Sequence, residues 1–245
     1  MFLRLKVKSM KIKYTSAFWW LLSPTYKYAE LNKNKLIENG ACQTELSSAL
    51  KKYNKRYFIS AIIICIAVQS LTYLGQTLFP ESGFSAHPLI KYPYWAMAII
   101  IIWLFLLSRG IEITKAFLGD AIDKLNGEHS NSDLKYGERL KLALTSYIEL
   151  IINFGTLYFL MPLCFYKDSH QFSSIFEAIY FSGITITTVG YGDISPSYWL
   201  LQFLTVFEVL AGFSLIVVCF TIYSSLALSQ PEICKICGKK LKKRT

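Results

Sequence analysis

Charge is missing from most of four long stretches of this chain, and too little polar sequence remains to cover four such helices in a soluble all-α protein. Residues 58–79 carry no formal charge in 22 positions and residues 92–108 none in 17; residues 142–166 hold Glu149 alone in 25, and residues 198–228 hold Glu208 alone in 31. A helix rising about 1.5 Å per residue needs roughly 20 residues to cross a hydrocarbon core of about 30 Å. The first and third stretches fit directly, the second needs Ile111 and Ile113 or a local thinning of the bilayer, and the fourth is long enough to continue beyond it. The chain reads as a multi-pass, all-α membrane protein.

Other absences narrow its chemistry. There is no nucleotide-binding glycine loop, no metalloprotease helix and no clustered nucleophile and base, so nothing points to an enzyme. The first two membrane stretches carry no bases at every third position, so they do not read as an obvious voltage sensor. Residues 2–13 alternate apolar and basic side chains without a continuous apolar region or a small-residue cleavage site, so no cleaved signal peptide is expected. Six cysteines are present without a disulfide pattern: Cys65, Cys164 and Cys219 lie in or near membrane segments and Cys42 lies outside them.

Acid is also scarce where base is concentrated. Residues 1–57 hold twelve Lys or Arg against three acids, and residues 230–245 hold six against one. Both termini are therefore expected in the cytoplasm, with the base-poor segments 80–91 and 167–198 outside. The connection 109–141 is balanced, six against six, and Arg109 is expected as an anchor at the interface. The net charge of +10 is assigned to anionic lipid headgroups rather than to nucleic acid. The expected organisation is a basic N-terminal segment (1–57), a first helix pair (58–113), a cytoplasmic connector (114–141), a pore domain (142–229) and a basic tail (230–245). Leu46, Leu50, Tyr53 and Tyr57 have the spacing of a short interfacial helix, or of one that simply runs on into the first crossing. Ile111, Phe117, Leu118, Ile122 and Leu125 suggest an amphipathic helix in the connector.

Between the third and fourth stretches lies the most specific signal. Ser174 followed by Glu177 has the pattern of a capping box, and Ile175, Ile179 and Phe181 give the ensuing segment apolar faces, which predicts a helix over 175–186. Its carbonyl end leads into Thr187, Thr188, Val189, Gly190, Tyr191, Gly192 and Asp193. Alternating glycines allow backbone angles that a side chain would strain, while Val189 and Tyr191 stay free to pack outward.

This motif, with the two membrane stretches around it, resembles the potassium-channel pore family over about residues 142–228. The resemblance implies a homotetramer in which the carbonyls of Thr188, Val189, Gly190 and Tyr191, with the Thr188 hydroxyl, replace the water around K+. Thr187, Gly192 and Asp193 are then filter support, with Asp193 placed either to accept a hydrogen bond from the preceding helix or to enrich cations at the mouth. The chain departs from the family pattern at Tyr180 and Phe181, where many relatives place paired tryptophans, and at Ile184, where some place a glutamate that braces the filter aspartate. Gly212 falls at the family's inner-helix hinge and serves either as a hinge or for close packing. Phe213, Ile216, Phe220, Thr221 and Ser224 are candidates to face a cavity, Phe220 being the gate candidate.

Glu149 and Glu208 are expected to face protein around the filter support, because a carboxylate in lipid is costly; the alternative, exposure to the permeation path, would make a second cation site. Cys234 and Cys237 form half of a zinc site, which two chains could complete; the alternative is a reduced, solvated tail near the lipid. The expected function is passive, selective conduction of K+. Its alternatives are a membrane sensor or scaffold with a non-conducting pore-like fold, or a subunit of a potassium-uptake system.

Overall fold

A computed structural model describes residues 18–20, 22–78, 93–127, 133–161, 172–196 and 198–229. The described residues are helical: α1 (Pro24–Glu38), α2 (Gln43–Leu78), α3 (Pro93–Leu125), α4 (Tyr136–Phe159), α5 (Ile175–Ile186), α6 (Trp199–Phe213), a π segment (Ser214–Cys219) and α7 (Phe220–Ser229). Among the described residues, four helices are long and apolar enough to cross a membrane: α2, α3, α4 and the α6–π–α7 rod. The protein is thus an all-α, multi-pass membrane protein.

Local chemistry sets the first boundary. Ser23 caps α1 by accepting from the Tyr26 amide, with Pro24 at the first turn. The same Ser23 hydroxyl donates to the Ser108 carbonyl at 2.8 Å, and the Thr25 and Ser108 hydroxyls lie 2.8 Å apart, so the start of α1 is pinned to α3. Lys115 sits 3.0 Å from the Trp19 ring centroid and 3.8 Å from that of Tyr26, adding a cation–π contact between the same two segments. Gly40, at φ +76°, ends the helix in the left-handed conformation that suits glycine.

The two amphipathic segments expected beside the first helix pair prove continuous with it. α2 has 36 residues and runs unbroken from Gln43 through the region of Leu46–Tyr57 into the apolar stretch; α3 has 33 and carries through Ile111 to Leu125. Hydropathy marks where lipid ends, but the backbone hydrogen bonds of a helix do not stop there. α4 starts six residues before the apolar stretch and ends at Phe159, short of the expected 166. Pro162 disfavours helical geometry at the residue before it, which accounts for the early stop.

α4 is the central element, in contact with α2, α3, α5, α6, the π segment and α7. Its buried face includes Leu150, Phe154, Leu157 and Tyr158, which join Leu106 and Ile113 of α3 and Leu201, Leu204 and Leu215 of the last rod in one cluster. A second cluster seats Cys219, Ile222 and Tyr223 against Ala121. There Asp120 of α3 accepts from Arg139 of α4 at 2.5 Å and from the Tyr223 hydroxyl at 2.8 Å.

Arg109 is not the interfacial anchor expected. It is 4% exposed, paired with Glu149 of α4 (Nε to Oε1, 2.7 Å) and with Glu112 one turn away (2.8 Å), and its guanidinium lies 4.2 Å from the Tyr57 ring centroid. Asn54 of α2 completes the group, accepting from Arg109 at 3.2 Å and from Ser146 at 3.0 Å. Its partner Glu149 is on another helix, and this ion pair with the bond to Asn54 compensates the buried charge.

One glycine of α4 marks the tightest backbone approach. A Cβ on Gly155 would lie 2.8 Å from Ile179 Cα, a backbone atom of α5 that cannot swing aside. Gly155→Ala is therefore expected to lower the stability of the purified protein by about 1–3 kcal/mol, the usual cost of overpacking. An unchanged thermal unfolding midpoint would contradict this close approach.

Candidate functional site

The sequence motif falls on α5 and the loop that follows. α5 spans the expected 175–186, and Ser174 caps it by accepting from the Glu177 amide. The Glu177 carboxylate accepts from the Ser173 amide at 2.6 Å and hydroxyl at 2.9 Å. The Ile175 amide donates to the Gln69 side chain of α2 at 2.9 Å, a cap supplied from 106 residues away that no local pattern displays. The first helix pair thus reaches the start of the short helix.

At the other end the chain leaves α5 under several constraints. Thr187 N and Oγ1 both donate to the Gly183 carbonyl, the Thr188 amide to Thr185, and the Gly190 amide turns back to the Ile184 carbonyl at 3.1 Å. φ is positive at Thr188 (61°), Gly190 (48°) and Gly192 (81°) but not at Val189 or Tyr191. The sign of φ thus alternates residue by residue from Thr188 to Gly192. Thr188 is the departure from the glycine argument: a β-branched residue in the left-handed region costs about 1–2 kcal/mol, and strain of this kind gathers at functional sites.

Asp193 accepts from the Tyr180 hydroxyl at 3.2 Å. Tyr180 thus supplies Asp193 with a hydrogen-bond donor from α5. Val189 and Tyr191 are 53% and 71% exposed in the single chain, so their apolar surfaces find no cover within it.

Both buried acids face protein, but Glu208 is the one that meets α5, whereas Glu149 meets Arg109 of α3 instead of the filter support. Glu149 is held by Arg109, and Glu208, wholly buried, accepts from Tyr158 of α4 at 2.7 Å and bonds through its other oxygen to Ser182 of α5. Gly212 packs closely: a Cβ there would meet Ile186 Cγ1 at 2.4 Å and the Ile186 carbonyl at 3.1 Å. Of its two expected roles, the geometry supplies the packing one. The helical irregularity lies two residues further on, in the π segment, where no glycine marks it. Phe220 begins α7 half-exposed, beside Phe213 and Val217 on the side of the rod away from the core.

Cys164, Cys234 and Cys237 lie outside the described residues, as does the basic tail. Among the described residues, no group of three or more His, Cys, Asp or Glu side chains could hold a metal ion.

A four-span helical protein with a twelve-residue helix and a loop of alternating hand held between its third and fourth spans has a channel-like fold. Comparison with known proteins agrees: residues 146–228 match a family described as ion channels, which are not enzymes. The chain is similar to a putative potassium channel protein, YugO, of Bacillus subtilis (33% identical over 81 residues, 33% of this chain and 23% of that protein). It is also similar to a hyperpolarization-activated voltage-gated potassium channel of Methanocaldococcus jannaschii (32% over 123 residues, 46% of this chain and 55% of that protein). In neither case does the chain cover two thirds of the relative's length. No solved structure matches.

Proposed function

We propose that the protein is a potassium-selective channel that conducts K+ passively through a pore on the axis of a homotetramer. The observation that carries this reading is the loop 188–192, whose hand alternates residue by residue in the sequence Thr-Val-Gly-Tyr-Gly. Four such loops facing one axis supply rings of carbonyl oxygens that replace the water of a dehydrated K+ and suit the smaller Na+ less well. The C-terminal end of α5 adds partial negative charge toward the ion.

Assembly is supported by the surfaces left open. Val206, Leu210, Phe213, Val217 and Phe220 recur at intervals of four and three along one face of the last rod, and each is at least 45% exposed. Together with Val189 and Tyr191 they form a continuous candidate for contact between copies and for the wall below the filter, with Phe220 lowest. Both basic ends then lie on the cytoplasmic side, against anionic lipid.

The test is ion flux through liposomes containing the purified protein. Potassium flux well above sodium flux is expected, at a subunit stoichiometry of four by mass. Protein that inserts as a tetramer but passes no K+ would instead fit a sensor or scaffold.

A further inference from the structure

Resting on the channel reading, we propose that Glu208 is a positioning residue for the ion-binding loop, acting as half of a two-turn clasp between the last rod and α5. Glu208 and Gly212 are one helical turn apart on α6, and Ser182 and Ile186 are one turn apart on α5. The pairs meet in register: Glu208 Oε1 on the Ser182 hydroxyl, and Gly212 against the Ile186 side chain and carbonyl.

One further bond and one close contact fix the clasp to α4. Tyr158 donates to the second oxygen of Glu208, and Ser182 Oγ lies 2.9 Å from the Ile151 carbonyl. One side-chain cluster therefore joins all three helices around the loop. Packing alone does not require a carboxyl at this depth, where an aliphatic side chain would fill the volume without its insertion cost. What the carboxyl adds is direction: its two oxygens are held by different helices, so α5 can neither slide along the rod nor rotate without breaking a bond.

That restraint reaches the loop over a very short path. Thr187 follows Ile186 directly, and Gly190 is tied back to Ile184. An axial slip of α5 would move the carbonyls of residues 188–191 relative to the rod by the same distance. The clasp thus fixes the height and diameter of the carbonyl rings, on which discrimination between K+ and Na+ depends.

Glu208→Leu, Glu208→Gln, Ser182→Ala and Tyr158→Phe are compared in liposomes. Glutamine can accept from Tyr158 and donate to Ser182, so Glu208→Gln should keep the K+ over Na+ permeability ratio within about twofold of the parent, while Glu208→Leu lowers it roughly tenfold. A merely structural role would reduce the yield of assembled protein and leave the ratio of the surviving channels unchanged, and that result overturns the proposal. If Glu208→Leu does not assemble, the two single-bond variants decide, with a drop of roughly threefold expected for each. Amide hydrogen exchange gives a second readout that needs no conduction: exchange at Gly190 should rise about tenfold in Glu208→Leu or Ser182→Ala without a matching rise in α4. Parent protein that fails to conduct would remove the channel reading, and the exchange result would still accept or reject the clasp.

Discussion

Gly190→Ala is expected to abolish selective K+ flux while leaving membrane insertion intact. Gly190 sits at φ +48°, and a Cβ there would meet nothing within 4 Å inside the chain, so the effect is one of backbone hand rather than crowding. An L-residue in this region costs about 1–2 kcal/mol, and in the proposed tetramer four copies multiply it. The relaxed alternative turns the carbonyl away from its neighbours and breaks the alternation. Gly40→Ala provides the control, since Gly40 has φ +76° and equally open surroundings but lies at the end of α1. Flux assays should find Gly40→Ala conducting normally. Normal selective flux from Gly190→Ala would remove the loop from the conduction path.

The second large effect is on stability. Arg109→Met leaves Glu149 and Glu112 buried with their shared cation gone, and breaking a buried pair in this way costs about 3–5 kcal/mol. A steep fall in the thermal unfolding midpoint is expected. Combining Arg109→Met with Glu149→Leu and Glu112→Gln should recover most of the loss, because the penalty lies in the uncompensated charge and not in missing volume. If the triple variant is no more stable than Arg109→Met, the network acts through shape instead.

These two cases also mark what a linear chain reveals. The spans were legible because a gap in charge is a local property, and α5 because Ser174 and the apolar positions after it lie within three turns. The loop was legible from its unusual sequence, apart from the strained backbone at Thr188, since only the glycines advertise positive φ. Arg109 was misplaced because its partner is 40 residues away on another helix, where no spacing rule reaches. The Gln69 cap on Ile175 escaped for the same reason. The run-on of α2 was legible as one of two alternatives, whereas the extended end of α3 reads as a separate element because composition changes at the membrane surface while the backbone does not. The π segment has no compositional mark, since widening a turn requires only that packing on its two sides favour it.

The tie between Arg109 and Glu149 has a consequence for how the protein is made. A chain synthesised from its N-terminus presents Arg109 to the membrane before Glu149 exists. Until then, Arg109 has Glu112 beside it on the same helix, and the charged group sits at the end of an apolar segment only 17 residues long. When the next span arrives, its carboxylate, worth about 2.5–3.5 kcal/mol against insertion if left alone at mid-depth, meets a cation already in place. The first two spans are therefore the docking half of an unfinished site rather than a finished hairpin. Their time of completion is set by the third.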